Sequence, residues 1–93
     1  MVVADVGREE EKPYVPSIAI EIQSPENTLQ KMREKADYYL GNGTRMVVLV
    51  YPQKQIVEVR TPDEHLLLTI DDTLDGGNVL PGFKLALRDL FPQ

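Results

Sequence analysis

The sequence predicts an α/β (α+β) domain in which a mixed, mostly antiparallel sheet packs against one main helix. Three observations predict it. An alternating apolar stretch at 17–23 precedes a segment with helical periodicity, which favours a strand followed by a helix. A nearly continuous apolar run at 45–52 comes next. The segments 56–61 and 66–70 then follow short turns, as expected for an antiparallel meander.

The first predicted strand carries polar groups on one face. A β-prone run at 1–6 and a charged, proline-containing loop at 7–17 precede it. Because successive side chains of a strand point to opposite faces, three isoleucines of "SIAIEIQS" share one face. The other face carries Ser17, Ala19, Glu21 and Gln23. Glu21 therefore need not be buried in the isoleucine core.

A helix is predicted from about residue 26–28 to residue 40. Asn27 or Thr28 suits its N-terminal cap, and the "GNG" at 41–43 suits a left-handed C-terminal cap. A core-facing stripe spans an arc of roughly 100° and consists of Leu29, Met32, Ala36, Tyr39 and Leu40. Lys35 lies about 40° outside this arc, so its ammonium can extend past the helix edge. Arg33 lies near the opposite boundary.

The remaining segments complete the sheet. The run "RMVVLVYP" suits a strand covered on both faces. It is predicted to lie parallel to the strand at 17–23 through a right-handed crossover, and to begin the meander that continues at 56–61 and 65–70. Beyond it, a turn-rich segment is expected to contain a short strand near Val79 and a last helical turn at about 86–91.

Composition narrows the class of protein. The chain has 93 residues, a globular balance of apolar and charged residues, and no cysteine, so disulfides and thiolate metal sites are excluded. No apolar run reaches the roughly 18 residues of a membrane span, and no signal peptide is recognisable; the expected location is cytoplasmic. The net charge of −5 argues against non-specific polyanion binding. It does not exclude a nucleic-acid enzyme, because a local basic stripe can coexist with an acidic chain.

One constellation suggests chemistry. If the helix packs back on the first strand, Glu21, Gln23 and Lys35 come together. A carboxylate can bind Mg²⁺, the metal can activate water, and a lysine can stabilise the charge of a phosphodiester transition state. The alternatives are a solvated or paired Glu21 and a surface Lys35. Lys31, Arg33 and Lys35 could likewise form either a small phosphate-facing patch or a solvated helix face.

The remaining polar and aromatic candidates favour ordinary structural roles. His65 is expected to be a surface residue in a turn, and Tyr38 and Tyr39 to be packing residues. Three aspartates resemble a calcium loop but lack its spacing, so a turn is expected there: Asp71, Asp72 and Asp75.

Taken together, the motifs resemble a known family. The chain from "PSIAIEIQSPENTLQKMREKADYYLGNG" through "RMVVLVYPQKQIVEV" to "TLDGGNVLPGFKLALRDLF" is similar to the C-terminal half of Uma-type restriction endonucleases, within the PD-(D/E)XK nuclease superfamily. The resemblance covers about residues 13–91. It implies a restriction-endonuclease-like core, Mg²⁺ as the cofactor and DNA as the partner. It also implies that Glu21 is the acidic metal ligand, that Gln23 takes the place of the motif's lysine, and that Lys35 supplies that lysine from the helix.

Two departures from the family pattern shape the expected function. Pro16-Ser17 stands where the family usually shows "PD", and "MVVADV" looks like the end of the strand that carries the family's key aspartate, so no role is carried over to Asp5. We therefore expect one truncated nuclease-like domain over 1–93 with an incomplete catalytic centre, inactive alone. An uncovered half-domain would associate, most simply as a homodimer. The alternatives are a Mg²⁺-dependent endonuclease completed in that dimer, or a small protein–protein interaction module.

Overall fold

The structure, a computed structural model, describes residues 15–91. The predicted β-prone run at 1–6 and most of the following loop lie outside these residues. The described elements, in chain order, are β1 (Ile18–Ile22), α1 (Leu29–Gly41), β2 (Met46–Tyr51), β3 (Ile56–Arg60), β4 (His65–Leu68), β5 (Thr73–Asp75), β6 (Lys84–Ala86) and α2 (Leu87–Leu90). The fold class is α+β, as predicted.

Four strands form the main sheet in the order β1-β2-β3-β4. β1 is parallel to β2, whereas β2, β3 and β4 are successively antiparallel. Both the parallel pair and the meander confirm the prediction. All six residues of β2 are buried, because this central strand has neighbours on both sides and packed layers on both faces.

α1 begins and ends through local signals in the sequence. The Thr28 hydroxyl accepts a hydrogen bond from the Lys31 amide at 3.1 Å, which satisfies one of the free donors of the first turn. At the other end, Gly43 has a φ of 106°. Its amide donates to the Leu40 carbonyl, and the Thr44 amide donates to the Tyr39 carbonyl. This pair of bonds is a Schellman motif, so the helix ends where the glycines predicted.

The sheet separates two hydrophobic layers. On one face, α1 packs on the sheet and buries Ala19, Met32, Ala36, Val47, Leu49 and Tyr51. The other face packs against the β5–β6 hairpin and α2, and its buried members include Ile18, Val48, Val57, Leu74, Leu87 and Phe91. The isoleucine side of β1 thus belongs to the second layer, and Glu21 belongs to the face that α1 covers.

Several local predictions were wrong. Val79 lies in a turn, and the two strands of this region are β5 and β6, which pair with each other. Each has only three residues, too few to show a periodic pattern. Leu29 and Tyr38 are exposed rather than packed, because the helix begins at Leu29 and Tyr38 points away from the sheet side of the stripe. The helical turn expected at 86–91 is present as α2.

Across the described part of the chain, no helix is both long enough and apolar enough to span a membrane.

Candidate active site

Glu21 is a buried carboxylate on the sheet face that α1 covers. Within β1 it pairs with Leu49 of β2, and it follows Ala19 by two residues, so the two side chains share a face. The small Ala19 side chain leaves room for the close approach of the helix. The strand that carries Glu21 is therefore paired with β2 along one edge and covered by α1 on one face.

α1 brings two polar side chains to Glu21. Lys35 Nζ lies 3.5 Å from Glu21 Oε1, and the Tyr39 hydroxyl donates to Oε2 at 3.2 Å. Lys35 and Tyr39 are four residues apart and so lie on neighbouring turns of one helix face. The Lys35 side chain remains 44% exposed. The predicted meeting of Glu21 and Lys35 is thus observed, with the lysine placed where it can also reach solvent.

Opposing effects set the pKa of the Glu21 carboxyl group. Burial, the largest effect, raises the pKa of Glu21, whereas the Lys35 ammonium and the Tyr39 hydroxyl are among the groups that lower it; the net pKa shift is downward. Burial, together with the negative charge of Glu21, raises the pKa of Tyr39 to about 12. Glu21 is therefore an anion at neutral pH, and Tyr39 remains a hydrogen-bond donor. Sequence reasoning assigned Tyr39 to packing and missed this bond, for which its four-residue spacing from Lys35 was the available signal.

Gln23 and Lys31 lie at the border of the site. Gln23 shares the Glu21 face by strand alternation, but its amide donates to the Asn27 carbonyl at 2.9 Å and so fastens the loop before α1. Lys31 is exposed near the start of the helix. Within residues 15–91, the hydrogen bonds from α1 to Glu21 come from Lys35 and Tyr39.

The residues described do not by themselves form a magnesium site. Among residues 15–91, no group of three His, Asp or Glu side chains could hold a metal ion. A single carboxylate does not satisfy Mg²⁺, which is usually bound by one or two carboxylates together with substrate phosphates and water. The aspartates of the acidic turn are used locally; for example, Asp72 accepts a hydrogen bond from the Thr69 amide at 2.8 Å. Glu21 could supply one oxygen ligand, and further ligands would have to come from elsewhere.

A second buried carboxylate, Glu58 of β3, was not predicted as a site residue. It accepts hydrogen bonds from Tyr51 at 2.5 Å, from the Arg33 guanidinium at 3.3 and 3.2 Å, and from His65 Nε2 at 2.6 Å. His65, expected to be an ordinary residue of a turn, instead begins β4 and reaches this carboxylate. In the structure Glu58 shares a strand face with Ile56, which packs in the layer that α1 covers.

The hydrogen bonds to Glu58 keep its carboxyl group ionised although it is buried. Burial alone would raise the pKa of its carboxyl, but hydrogen bonds from Tyr51, Arg33 and His65 outweigh burial and hold the pKa below its usual value. Conversely, burial and the adjacent carboxylate raise the pKa of Tyr51. The cluster joins α1, β2, β3 and β4 through one anion.

Comparison with known proteins finds a matching family model and similar solved structures. The sequence model of the Uma2 family, described as "Putative restriction endonuclease", matches residues 1–88. Among solved structures, the chain is similar to a crystal structure described as a "putative nuclease belonging to DUF820" from Anabaena variabilis, with a TM-score of 0.75 and 29% sequence identity. The match covers 83% of this chain and 44% of that one, so the chain spans less than half of the structure it resembles. Comparison with curated proteins gives no match.

Proposed function

The chain belongs to the Uma2 family, and on that premise we propose that it carries one half of a nuclease centre, formed by Glu21 and Lys35. In this proposal Glu21 is the acidic residue that faces a divalent metal ion, and Lys35 is the cation that faces a DNA phosphate. Family membership implies a divalent metal and DNA. The observation that carries the proposal is the contact of 3.5 Å between Lys35 Nζ and the buried Glu21 carboxylate.

The chemistry of this pair suits phosphodiester hydrolysis. When bound, a divalent metal supplies an activated water and neutralises developing negative charge. The protein's own part is to keep Glu21 ionised in a desolvated position and to hold an ammonium beside it. Because Lys35 is partly exposed, it can turn from Glu21 towards an incoming phosphate, and Tyr39 would continue to hold Glu21 Oε2. Gln23 contributes by fixing the loop that leads into α1.

We further propose that this half-centre does not cleave DNA alone. One carboxylate offers too few ligands for a metal that needs several oxygens, and residues 15–91 contain no group of three side chains that could hold a metal ion. Lys31 and Lys35 then form a small DNA-facing patch on a chain whose net charge is −5. A cytoplasmic location, which the sequence predicted, is compatible with a DNA substrate and remains part of this proposal.

Plasmid cleavage tests the proposal. Supercoiled DNA is incubated with the wild-type protein and Mg²⁺ or Mn²⁺, beside the Glu21→Gln and Lys35→Met variants and an exposed-surface control, Glu64→Gln. The proposal expects no nicking by any of the four proteins. Nicking by the wild type that is lost in Glu21→Gln but kept in Glu64→Gln would contradict inactivity and favour a centre completed within an oligomer.

Self-association is the second part of the proposal. β4 lies at one edge of the described sheet, and it exposes Leu66 by 46% and Leu67 by 59%. An exposed edge strand with apolar side chains is a template for pairing with another chain, which favours a two-fold homodimer.

Sedimentation equilibrium tests this arrangement. We expect a dimer for the wild type and a shift towards monomer for Leu67→Lys. Tyr38→Lys, which changes an equally exposed side chain on α1, is expected to leave the dimer intact. A monodisperse wild-type monomer at all concentrations would contradict the association.

A further inference from the structure

Two buried carboxylates lie in one line across the sheet. Glu21 of β1 pairs with Leu49 of β2, and Leu49 pairs with Glu58 of β3. Directly paired residues point to the same side of a sheet, so both carboxylates face α1. Since neighbouring strands are about 4.8 Å apart, the two residues are separated by about 10 Å across Leu49. Both are buried.

The helix above them offers one cation to each carboxylate. Arg33 donates to both oxygens of Glu58, and Lys35 lies against Glu21. Residues two positions apart are rotated by about 200° around a helix, so Arg33 and Lys35 project from opposite flanks of α1. Between these flanks, Met32 and Ala36 are fully buried against the sheet. The two ion pairs therefore hold α1 on both sides of the line along which Met32 and Ala36 contact the sheet.

The two flanks are not equally restrained. The Arg33 guanidinium is planar and makes a two-point contact, which fixes direction as well as distance. Glu58 is itself held by Tyr51 and His65. Lys35, in contrast, makes one contact of 3.5 Å through a long and flexible stem. A second link on the β3 side, from Arg60 to the exposed Asp37 at 2.7 Å, supports the same flank.

We propose that Glu58 is a positioning residue: through Arg33 it fixes the rotation of α1 about its axis and thereby holds Lys35 at Glu21. Loss of the Arg33–Glu58 fork lets the helix rock about its Met32–Ala36 contact line, and the Lys35 ammonium moves away from Glu21. The importance of this coupling for catalysis rests on the proposed function, whereas the coupling itself does not.

The titration of Glu21, followed by the ¹³Cδ signal of its carboxyl group in NMR, tests the proposal without DNA or metal. Arg33→Lys keeps the charge and removes the planar fork. We expect the midpoint of Glu21 to rise by about half a unit or more, since a carboxylate that loses a nearby cation becomes easier to protonate. The same substitution in a Lys35→Met background should leave the midpoint unchanged relative to Lys35→Met alone.

A second variant separates positioning from direct electrostatics by sign. Glu58→Gln removes a negative charge near Glu21, and by direct electrostatics alone the midpoint of Glu21 would fall. Positioning predicts that it rises, because Lys35 is released. Arg88→Lys is the matched control: it alters an Arg–carboxylate pair with Asp71 in the opposite layer and should leave the midpoint unchanged.

The outcomes decide the question in either direction. A midpoint that stays unchanged in Arg33→Lys, or falls in a folded Glu58→Gln variant, overturns the proposal and leaves Glu58 with a stabilising role only. If Glu58→Gln does not fold, Arg33→Lys decides alone, since Arg33 is 49% exposed and its replacement leaves Glu58 two further partners. Failure of the proposed nuclease function would not alter either result.

Discussion

Replacing Glu58 with glutamine measures how strongly one buried anion holds the fold together. Glutamine keeps the shape of the side chain, but only one of its two polar atoms is an acceptor. If that oxygen keeps the bond from Tyr51, the amide group faces the donors of Arg33 and His65. Charge-assisted bonds contribute about 1.5–3 kcal/mol where buried. Because these two partners are half-exposed and can turn to water, we expect a total loss of about 2–3 kcal/mol.

This loss is large for a small domain. A change of 1 kcal/mol shifts the Tm of a domain of this size by about 4–8 °C, so Glu58→Gln should lower the Tm by roughly 10–20 °C. Urea unfolding followed by circular dichroism gives the free energy of unfolding directly. Glu64→Gln makes the same chemical change on an exposed side chain and should stay within about 0.5 kcal/mol of the wild type.

The pH dependence of this effect has a defined sign. The pKa of Glu58 is lower in the folded state than its usual value, which is about 4.3 in the unfolded chain. Its stabilisation is therefore complete above the unfolded pKa and is lost as the pH falls through the folded pKa. The difference between wild type and Glu58→Gln should be fully present at about pH 5 and shrink below about pH 4. An equal difference at about pH 5 and about pH 3, or an equal loss in Glu64→Gln, would refute the reasoning.

Three further substitutions test the packing around the candidate site. Tyr39→Phe removes the donor to Glu21 Oε2; it should raise the pKa of Glu21 in NMR titration and cost about 1 kcal/mol in urea unfolding. Leu49→Ala empties a fully buried position between the two carboxylates and should cost about 2–5 kcal/mol, measured in the same way. Thr28→Ala removes the N-terminal cap of α1 and should cost about 1 kcal/mol; an unchanged free energy of unfolding would contradict the role of that cap.

The sequence predicted those features that depend on local patterns. Alternation placed Glu21 opposite the isoleucines, and the continuous apolar run marked β2 as the central strand. Asn27 or Thr28 and the "GNG" at 41–43 marked the two ends of α1. Helical spacing also placed Lys35 at an edge of the core-facing stripe, from which its ammonium could reach the Glu21 face. These signals are short-range, so they remain readable in a single sequence.

The features that were missed depend on how the elements pair and pack. The partners of Glu58 come from three other elements, and only the register of β3 against β2 and β4 brings Tyr51 and His65 to it. Tyr39 fitted a hydrophobic stripe equally well, and its hydroxyl acquires a role only once the helix is placed over β1. The three-residue strands β5 and β6 are likewise defined by their pairing. The catalytic roles of Glu21, Gln23 and Lys35, and the truncation of the domain, stay predictions.

The most direct test of the central claim is to locate a divalent metal by NMR, using Mn²⁺ as a paramagnetic probe of the wild-type protein. The half-centre predicts weak binding, with line broadening strongest for the backbone amides of Glu21 and its β1 neighbours and weaker around Glu58, which lies about 10 Å away. Glu21→Gln should abolish this broadening, and Glu64→Gln should preserve it. Broadening centred on the acidic turn at residues 71–75, or unaffected by Glu21→Gln, would contradict the claim that Glu21 is the metal-facing residue.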